Sequence, residues 1–371
     1  GNDNIGSYRY TDTYYIQNAD GEVSVVFNTK GNKKVTWETN TNFNAGADFE
    51  FFNNRLSGSV EYFYRKTSDM LYWVTVPSSQ GYSGYYGNVG DMRNSGVEFA
   101  INATAIRSHN VNWDIYLNAT NYSNKIIRLP EANKKKTVEG HSGYATGNKF
   151  VGEGLSLNTF LMPKYAGVEP TTGLSMWYKD VTDEATGKVT RETTTKYSEA
   201  TDYLCSVPTP ILYGGFGTSI SFWNFDLSVD FTYSIGGKAY DSGYASLMNV
   251  AGSSVGYNIH KDVLKGWTPE NTNTDIPRFQ ANDQNVVSMS DRFLTNASYL
   301  NFQRAQFGYN LPKSLLSKVK INSVRFYVTA DNICYWSVRK GFDPRYSFTG
   351  ATSDAVCSPV RTVSGGVTIT F

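Results

Sequence analysis

Cysteine is scarce in this sequence, and what there is lies far apart. Cys205, Cys334 and Cys357 are odd in number and widely spaced. They form neither a disulfide framework nor a zinc-binding spacing, although one bridge from Cys334 to Cys357 would span a single loop. The three histidines, His109, His141 and His260, fall in a turn and two loops, so no metal site is expected. Neither sign of charge is in excess. A formal net charge of +1 lacks the electrostatic footprint of a nucleic-acid partner. Long apolar runs are missing as well, and without about eighteen consecutive apolar residues there is no transmembrane helix. The chain starts Gly1-Asn2-Asp3-Asn4, with no initiator methionine and no signal peptide, as expected of a processed or partial chain.

Catalytic motifs are equally thin. In Gly81-Tyr82-Ser83-Gly84 and Gly140-His141-Ser142-Gly143 the second glycine comes one place too early for a nucleophile elbow. Gly214-Gly215-Phe216-Gly217 sits inside a strand pattern, where close packing or a bend is a better reading than a phosphate cradle. Asp226 and Asp230 share one face of a strand and are read as solvating that face rather than as an acid–base pair. Neither an enzyme nor a cofactor is expected.

What the sequence does have is aromatic residues and alternation. Aromatics make up 15% of the chain, with 27 Tyr, 21 Phe and 7 Trp. Tyrosine joins an apolar ring to a polar tip, which suits a membrane interface or a rigid polar binding surface. The clearest stretch is Thr209–Lys238. Phe225, Leu227, Val229, Phe231, Tyr233 and Ile235 alternate with Asp226, Ser228, Asp230, Thr232 and Ser234, which predicts a strand with one apolar and one polar face. Leu212–Phe222 repeats the pattern, and Trp223-Asn224 joins the two arms. Each arm is about ten residues, enough for a tilted strand to cross a bilayer. Mean hydropathy is only −0.40, which a barrel tolerates because every second strand residue faces away from lipid. A soluble sandwich would instead hide the apolar face under a second sheet.

The same pattern predicts strands over Tyr8–Ile16, Val35–Phe49, Arg55–Met70, Val97–Ala103 and Trp113–Ala119, the last running on to Ile126-Ile127. Leu71–Asn94 reads as a long irregular stretch, and Lys134-Lys135-Lys136 as a solvated loop. Phe150–Tyr165 and Leu174–Tyr178 read as a third hairpin around the turn Glu169–Gly173. Leu300–Asn310 slips in phase between Phe302 and Ala305, which a bulge would explain. Val324–Ala330 and Arg361–Phe371 complete the set, giving about eleven strands, or twelve with the first. Short connections at Asn53, Ser108–Asn112, Pro170–Gly173, Trp223-Asn224 and Leu311–Asn322 alternate with long ones over 71–94, 128–148, 180–210, 237–298 and 336–359. Gathering every long connection at one end is the habit of an outer-membrane barrel. The best binding candidates are loop aromatics, Tyr72, Trp73, Tyr82, Tyr85, Tyr86 and Trp267, whose flat rings would stack on sugar faces or peptide side chains.

Several motifs carry a resemblance. Arg55–Tyr62 with Lys66-Thr67-Ser68-Asp69, Asn88–Glu98, Tyr165–Pro170 and Trp267–Asn271 form the first group. Tyr299-Leu300 through Gly308–Pro312, Asp331-Asn332 and Gly341-Phe342-Asp343-Pro344 follow in order. Together these are similar to the C-terminal part of SusC-like TonB-dependent transporters. The resemblance implies an all-β antiparallel transmembrane barrel of about twenty-two strands, of which residues 1–371 would supply roughly half, with the plug and the first strands outside this chain. It implies the outer membrane of a Gram-negative bacterium, active import of an oligosaccharide or peptide, a SusD-like surface lipoprotein outside and the TonB complex inside. Phe371 would supply the terminal aromatic of a barrel-assembly signal. A passive channel or structural barrel, and a soluble carbohydrate-binding module, are the alternatives.

Overall fold

The computed structural model describes residues 8–19, 21–249, 258–281, 283–316, 321–346, 348–351 and 358–371. Its main element is an antiparallel sheet of nine strands. In chain order they are β1 (Thr39–Phe51), β2 (Leu56–Ser68), β3 (Asp91–Arg107), β4 (Val111–Arg128), β5 (Leu212–Phe222), β6 (Phe225–Ile235), β7 (Tyr299–Asn310), β8 (Ser323–Trp336) and β9 (Thr362–Thr370). Hydrogen-bonded order equals sequence order, so the sheet is a meander and successive connections fall at alternate ends.

The period-2 pattern builds this sheet as expected. β5 and β6 pair without a break from Leu212–Ile235 to Phe222–Phe225, and the two-residue turn between them fixes the register. On the apolar face, Phe216, Phe231 and Phe302 stack in a row across three strands, with ring centroids 5.0 and 4.7 Å apart. Cross-strand aromatic pairs of this kind hold a sheet face together. The phase slip in β7 is a bulge: Asp230 pairs with Arg304 and Phe231 with Phe302, which leaves Gln303 as the extra residue.

Nine of the twelve expected strands lie in this sheet, and three do not. Tyr8–Tyr10 is a turn, and the first strand runs instead over Thr13–Ala19, paired with Glu22–Thr29 in a separate hairpin. The hairpin around Glu169–Gly173 forms from Tyr165–Val168 and Ser175–Thr182, but its far side pairs with Val189–Thr194 in a sheet of its own. Within the expected strand Phe150–Tyr165, the segment Thr159–Pro163 is buried at all five positions. Phe160-Leu161-Met162 is a continuous apolar run rather than an alternating one, the mark of a strand buried on both faces. Pro170–Gly173 is therefore a turn inside one long connection, 129–211, and not a turn at the end of the main sheet. The stretch Leu71–Asn94 is also more regular than expected, holding the hairpin Leu71–Thr75 with Gly84–Asn88 and the first residues of β3. Lys134 is not simply solvated, since it pairs with Glu131 at 2.8 Å and Glu153 at 3.1 Å.

With that correction the rhythm of connections becomes regular. Short turns follow β1, β3, β5 and β7; long connections follow β2, β4, β6 and β8. The chain divides into two compact units, 1–45 with 62–96 and 123–157, and 46–61 with 97–122 and 158–371. Each has an apolar cluster of its own. In the first it comprises Ile126, Leu129 and Val151, flanked by Met92 and Tyr144. In the second it comprises Ala245, Met248, Val263, Ile276 and Phe293, all from the long connection between β6 and β7. Among the described residues no helix is long and apolar enough to cross a membrane, which says nothing of strands.

Candidate functional site

The polar face of the sheet is the first candidate. Alternation places Tyr116 of β4, Asp226 and Asp230 of β6, Arg304 of β7 and Arg325 and Asp331 of β8 on it. Glycine decides where these large groups fit. At Gly217 of β5 a Cβ would run into the Tyr116 ring and the Asp230 carboxylate, and at Gly308 into Asp226 and Arg325. In the space so left, the Tyr116 hydroxyl donates to Asp230 at 2.7 Å. Arg325 donates to both oxygens of Asp226, at 3.2 and 2.5 Å. Arg304 pairs with Asp331 at 2.7 Å. The expectation that Asp226 and Asp230 share a face holds, with each carboxylate bound across an intervening strand, Asp230 over β5 to Tyr116 of β4 and Asp226 over β7 to Arg325 of β8. The glycines of β5 serve close packing, as expected of glycine within a strand.

Towards the end that carries the long connections, this face hollows into a cavity of about 670 Å³. Its lining includes Tyr116, Asn118, Tyr213, Tyr299, Gln303 and Arg304. Gln303 reaches it because of the bulge. Beside it, Asn301 is only 2% exposed and donates to Thr232 and Gln303 while accepting from Arg345 at 2.8 Å. Arg345 is fixed in turn by Asp343, at 2.8 and 2.5 Å, and lies 4.5 Å from the centre of the Tyr335 ring. Burial alone would raise the Asp343 carboxyl, but hydrogen bonds from Arg345 and Ser358 outweigh it and hold the group below its ordinary value. The Gly341–Pro344 motif thus ties the last long connection to β7.

Further contacts join the other long connections of the second unit. The backbone N–H of Tyr165 donates to Asp291 at 2.7 Å, and its hydroxyl to the carbonyl of Asp275 at 3.0 Å. Burial pushes the Tyr165 hydroxyl up to about 12, so it stays a donor. Arg339 pairs with Asp241 and lies 4.0 Å from the Tyr244 ring centre.

The loop aromatics fall into two groups. Tyr72, Trp73, Tyr82, Tyr85 and Tyr86 belong to the first unit, on the hairpin Leu71–Thr75 with Gly84–Asn88 and the segment joining its strands. Tyr72 is 58% exposed. Trp73 meets Tyr86 edge-on at 5.1 Å, Tyr82 leans on Phe27 at 6.2 Å, and Arg9 covers Tyr86 at 5.1 Å. Trp267 belongs to the second unit, where its indole N–H donates to the Pro170 carbonyl at 3.0 Å. Its ring lies against Gly173, whose φ of +73° and lack of Cβ make room for it. The cavity residues on β4, β5 and β7 escaped sequence reasoning; the phase slip at Gln303 was the one trace of them. His109, His141 and His260 remain apart, and no cluster of three or more His, Cys, Asp or Glu forms among the described residues. A Cys334–Cys357 bridge lies outside the described residues.

Comparison with known proteins agrees with this geometry. Residues 4–333 match the family model described as TonB dependent receptor-like, beta-barrel. TonB-dependent receptor P3 of Formosa agariphila is 28% identical over 94% of this chain and 35% of its own length. TonB-dependent receptor SusC of Bacteroides thetaiotaomicron is 27% identical over 92% of this chain and 32% of its own. The chain therefore spans about a third of these relatives. Among solved structures, the RagAB peptide transporter superimposes with a TM-score of 0.84 at 28% identity, over 100% of this chain and 40% of that one. With nine alternating strands, a polar wall and every long connection at one end, this chain belongs to the TonB-dependent receptor-like β-barrels, proteins of the Gram-negative outer membrane.

Proposed function

We propose that this chain is the C-terminal part of a barrel that actively imports a nutrient oligomer, a glycan or an oligopeptide, across the outer membrane. In this reading a SusD-like lipoprotein works with it outside and the TonB complex drives it from inside. The observation that carries the reading is the polar wall of Tyr116–Asp230, Arg304–Asp331 and Asp226–Arg325, backed by an apolar face and opening into a cavity towards the long connections. A wet wall behind a lipid face is what a transport lumen needs. The relatives named as TonB-dependent receptors and the RagAB peptide transporter support import, and the peptide in the latter's name supports an oligopeptide as one of the two cargo classes. Among the described residues β1 and β9 each have one unpaired edge in the nine-stranded sheet. In hydrocarbon such edges cost several kcal/mol for each unsatisfied group, which supports further strands, of a barrel of about twenty-two, in the same assembly. Tyr72, Trp73, Tyr82, Tyr85, Tyr86 and Trp267 are the residues assigned to cargo contact.

The test is uptake of labelled oligosaccharides and oligopeptides by cells that depend on the complete transporter, with and without TonB. Import of one class that stops when TonB is removed is the expected result. Uptake that persists without TonB would make the protein a passive channel. Replacing Tyr72 and Tyr85 by alanine should lower uptake several-fold, and unchanged uptake in the variant with all five hairpin aromatics replaced would remove them from the cargo path.

A further inference from the structure

Two of the sequence motifs come together at the base of the aromatic hairpin. Lys66-Thr67-Ser68-Asp69 leads out of β2, and Asn88-Val89-Gly90-Asp91 leads into β3. The hairpin Leu71–Thr75 with Gly84–Asn88 and its connecting segment hold five of the six aromatics assigned to cargo contact, and they continue that pair of strands. The ladder runs on through the Met70 N–H, which donates to the Gly90 carbonyl at 2.9 Å, and the Val89 N–H, which donates to the Met70 carbonyl at 2.7 Å. Both chains bend there, with φ of +53° at Asp69 and +129° at Gly90. That region of backbone space favours glycine, and at Gly90 a Cβ would also run into the Arg128 carbonyl. β3 and β4 are 17 and 18 residues long, about seven more than a tilted strand needs to cross a bilayer. The bend therefore forms a joint beyond the membrane, at the end of the long connections.

Arg128, the last residue of β4, holds this joint from the side. Its Nη2 donates to Asp69 at 3.0 Å and to Asp91 at 2.9 Å. Asp91 is only 8% exposed; it also accepts from the Asp69 backbone N–H at 3.2 Å and pairs with Lys66 at 3.4 Å. A buried carboxylate needs such partners, so Asp91 draws three donors to one point. A lone pair at a half-exposed arginine would count for little, but one guanidinium shared by two carboxylates fixes the geometry of both. The Asn88 side chain fastens the other arm, donating to the carbonyls of Asp69 at 2.7 Å and Thr36 at 3.0 Å and accepting from the Thr36 N–H at 2.9 Å. Each arm of the hairpin has five residues. At about 3.4 Å per residue that is about 17 Å, so a tilt of about 10° at the joint moves the far end by about 3 Å. Contact groups need to be held to about 0.5 Å. We infer that Asp91 and Arg128 are positioning residues for cargo contact, locking the joint at Asp69 and Gly90 and so aiming Tyr72 and its neighbours. This rests on the reading that the hairpin meets the cargo.

The test uses the complete transporter and two readouts: uptake against concentration for labelled oligosaccharides and oligopeptides, and amide exchange over 71–88. Arg128→Gln should raise the half-saturating concentration about fivefold, leave the maximal rate per barrel unchanged, and speed exchange over 71–88. Asp91→Asn should behave alike, and Arg128→Lys, which keeps the charge, should restore most of both readouts. In the variant with all five hairpin aromatics replaced, Arg128→Gln should change half-saturation no further, since the two act through one contact. A lower maximal rate with half-saturation unchanged would overturn the inference and leave Arg128 as a residue of barrel assembly. Unchanged exchange over 71–88 would overturn it as well, while cargo contact by the hairpin would still stand on the aromatic replacements. Faster exchange with unchanged half-saturation would end the positioning role by removing the cargo contact beneath it, and the joint itself would stand.

Discussion

Phe231 on β6 and Phe293 in the connection that follows it are the same side chain in opposite settings. Phe231 stacks in a row with Phe216 and Phe302 on the outer face of the sheet, a face on which Phe216 and Phe307 are 37% and 45% exposed. Phe293 is 1% exposed and lies among Ala245, Met248, Val263 and Ile276. The sheet turns its apolar side chains outward, whereas the long connections gather theirs inward. Phe150, Phe160, Trp177, Tyr203 and Met248, all at most 2% exposed, lie in those connections. The two regions therefore meet different solvents. Lipid takes the place of a protein core on the outer face of the sheet, and the connections, surrounded by water, need dry cores of their own.

Substitutions at the two sites should separate the regions. Phe293→Ala removes a buried ring and should cost about 3–5 kcal/mol locally. The expected result is new protease sensitivity within 236–298 while the barrel still assembles and migrates as a folded band; loss of assembly would show that the connection core and the wall fold as one. Phe231→Arg places a charge on the lipid face and should cost about 2–4 kcal/mol at mid-depth. It should block assembly in the outer membrane, while Asp230→Asn on the opposite face should not. If both variants assembled equally well, the assignment of faces would be wrong.

A smaller effect is expected at the glycine that seats an ion pair on the polar face. Gly308→Val should push Asp226 and Arg325 apart and cost about 1–3 kcal/mol through overpacking, read as a lower unfolding midpoint in detergent. Gly365→Val in β9 is the control, because a Cβ there meets nothing closer than a backbone oxygen at 3.6 Å. The smallest effect should come from the clamp on the last connection. Asp343 has a folded-state pKa below the ordinary value of 3.8. The stabilisation from its ionised form is therefore complete above that value and is lost as pH falls through the lower, folded-state value. Asp343→Asn should reduce amide-exchange protection over 341–345 at neutral pH, and wild type and variant should converge once pH has fallen through the lowered, folded-state value. Equal protection at neutral pH would mean that Arg345 holds the segment without its carboxylate.

Much of the sheet was legible because its code is local. Strict alternation over Phe225–Ile235 states both the strand and its two faces, and the slip at Gln303 announces a bulge before any partner is known. The failures share a cause. Phe160-Leu161-Met162 and the strong turn at Glu169–Gly173 carry genuine strand and turn signals, but a local signal does not say which sheet a strand joins. The concentration of aromatics over Tyr72–Tyr86 was visible by composition, yet neither the hairpin that carries them nor the edge-on pairing of Trp73 with Tyr86 was. The cavity was hidden because Tyr116, Tyr213 and Tyr299 lie about 86 to 183 residues apart and meet only once the register of β4 to β7 is set.

By itself the sequence determined the class of fold, the strand faces and the end at which the long connections gather. Each of these follows from the period-2 geometry of a strand and from the turn residues beside it. Only the tertiary structure decided that the main sheet holds nine strands, that Asp226 and Asp230 are bound to partners two strands away, and that the connections fold around cores of their own. Those outcomes depend on contacts between residues remote in sequence, whose distances are set by strand register and packing.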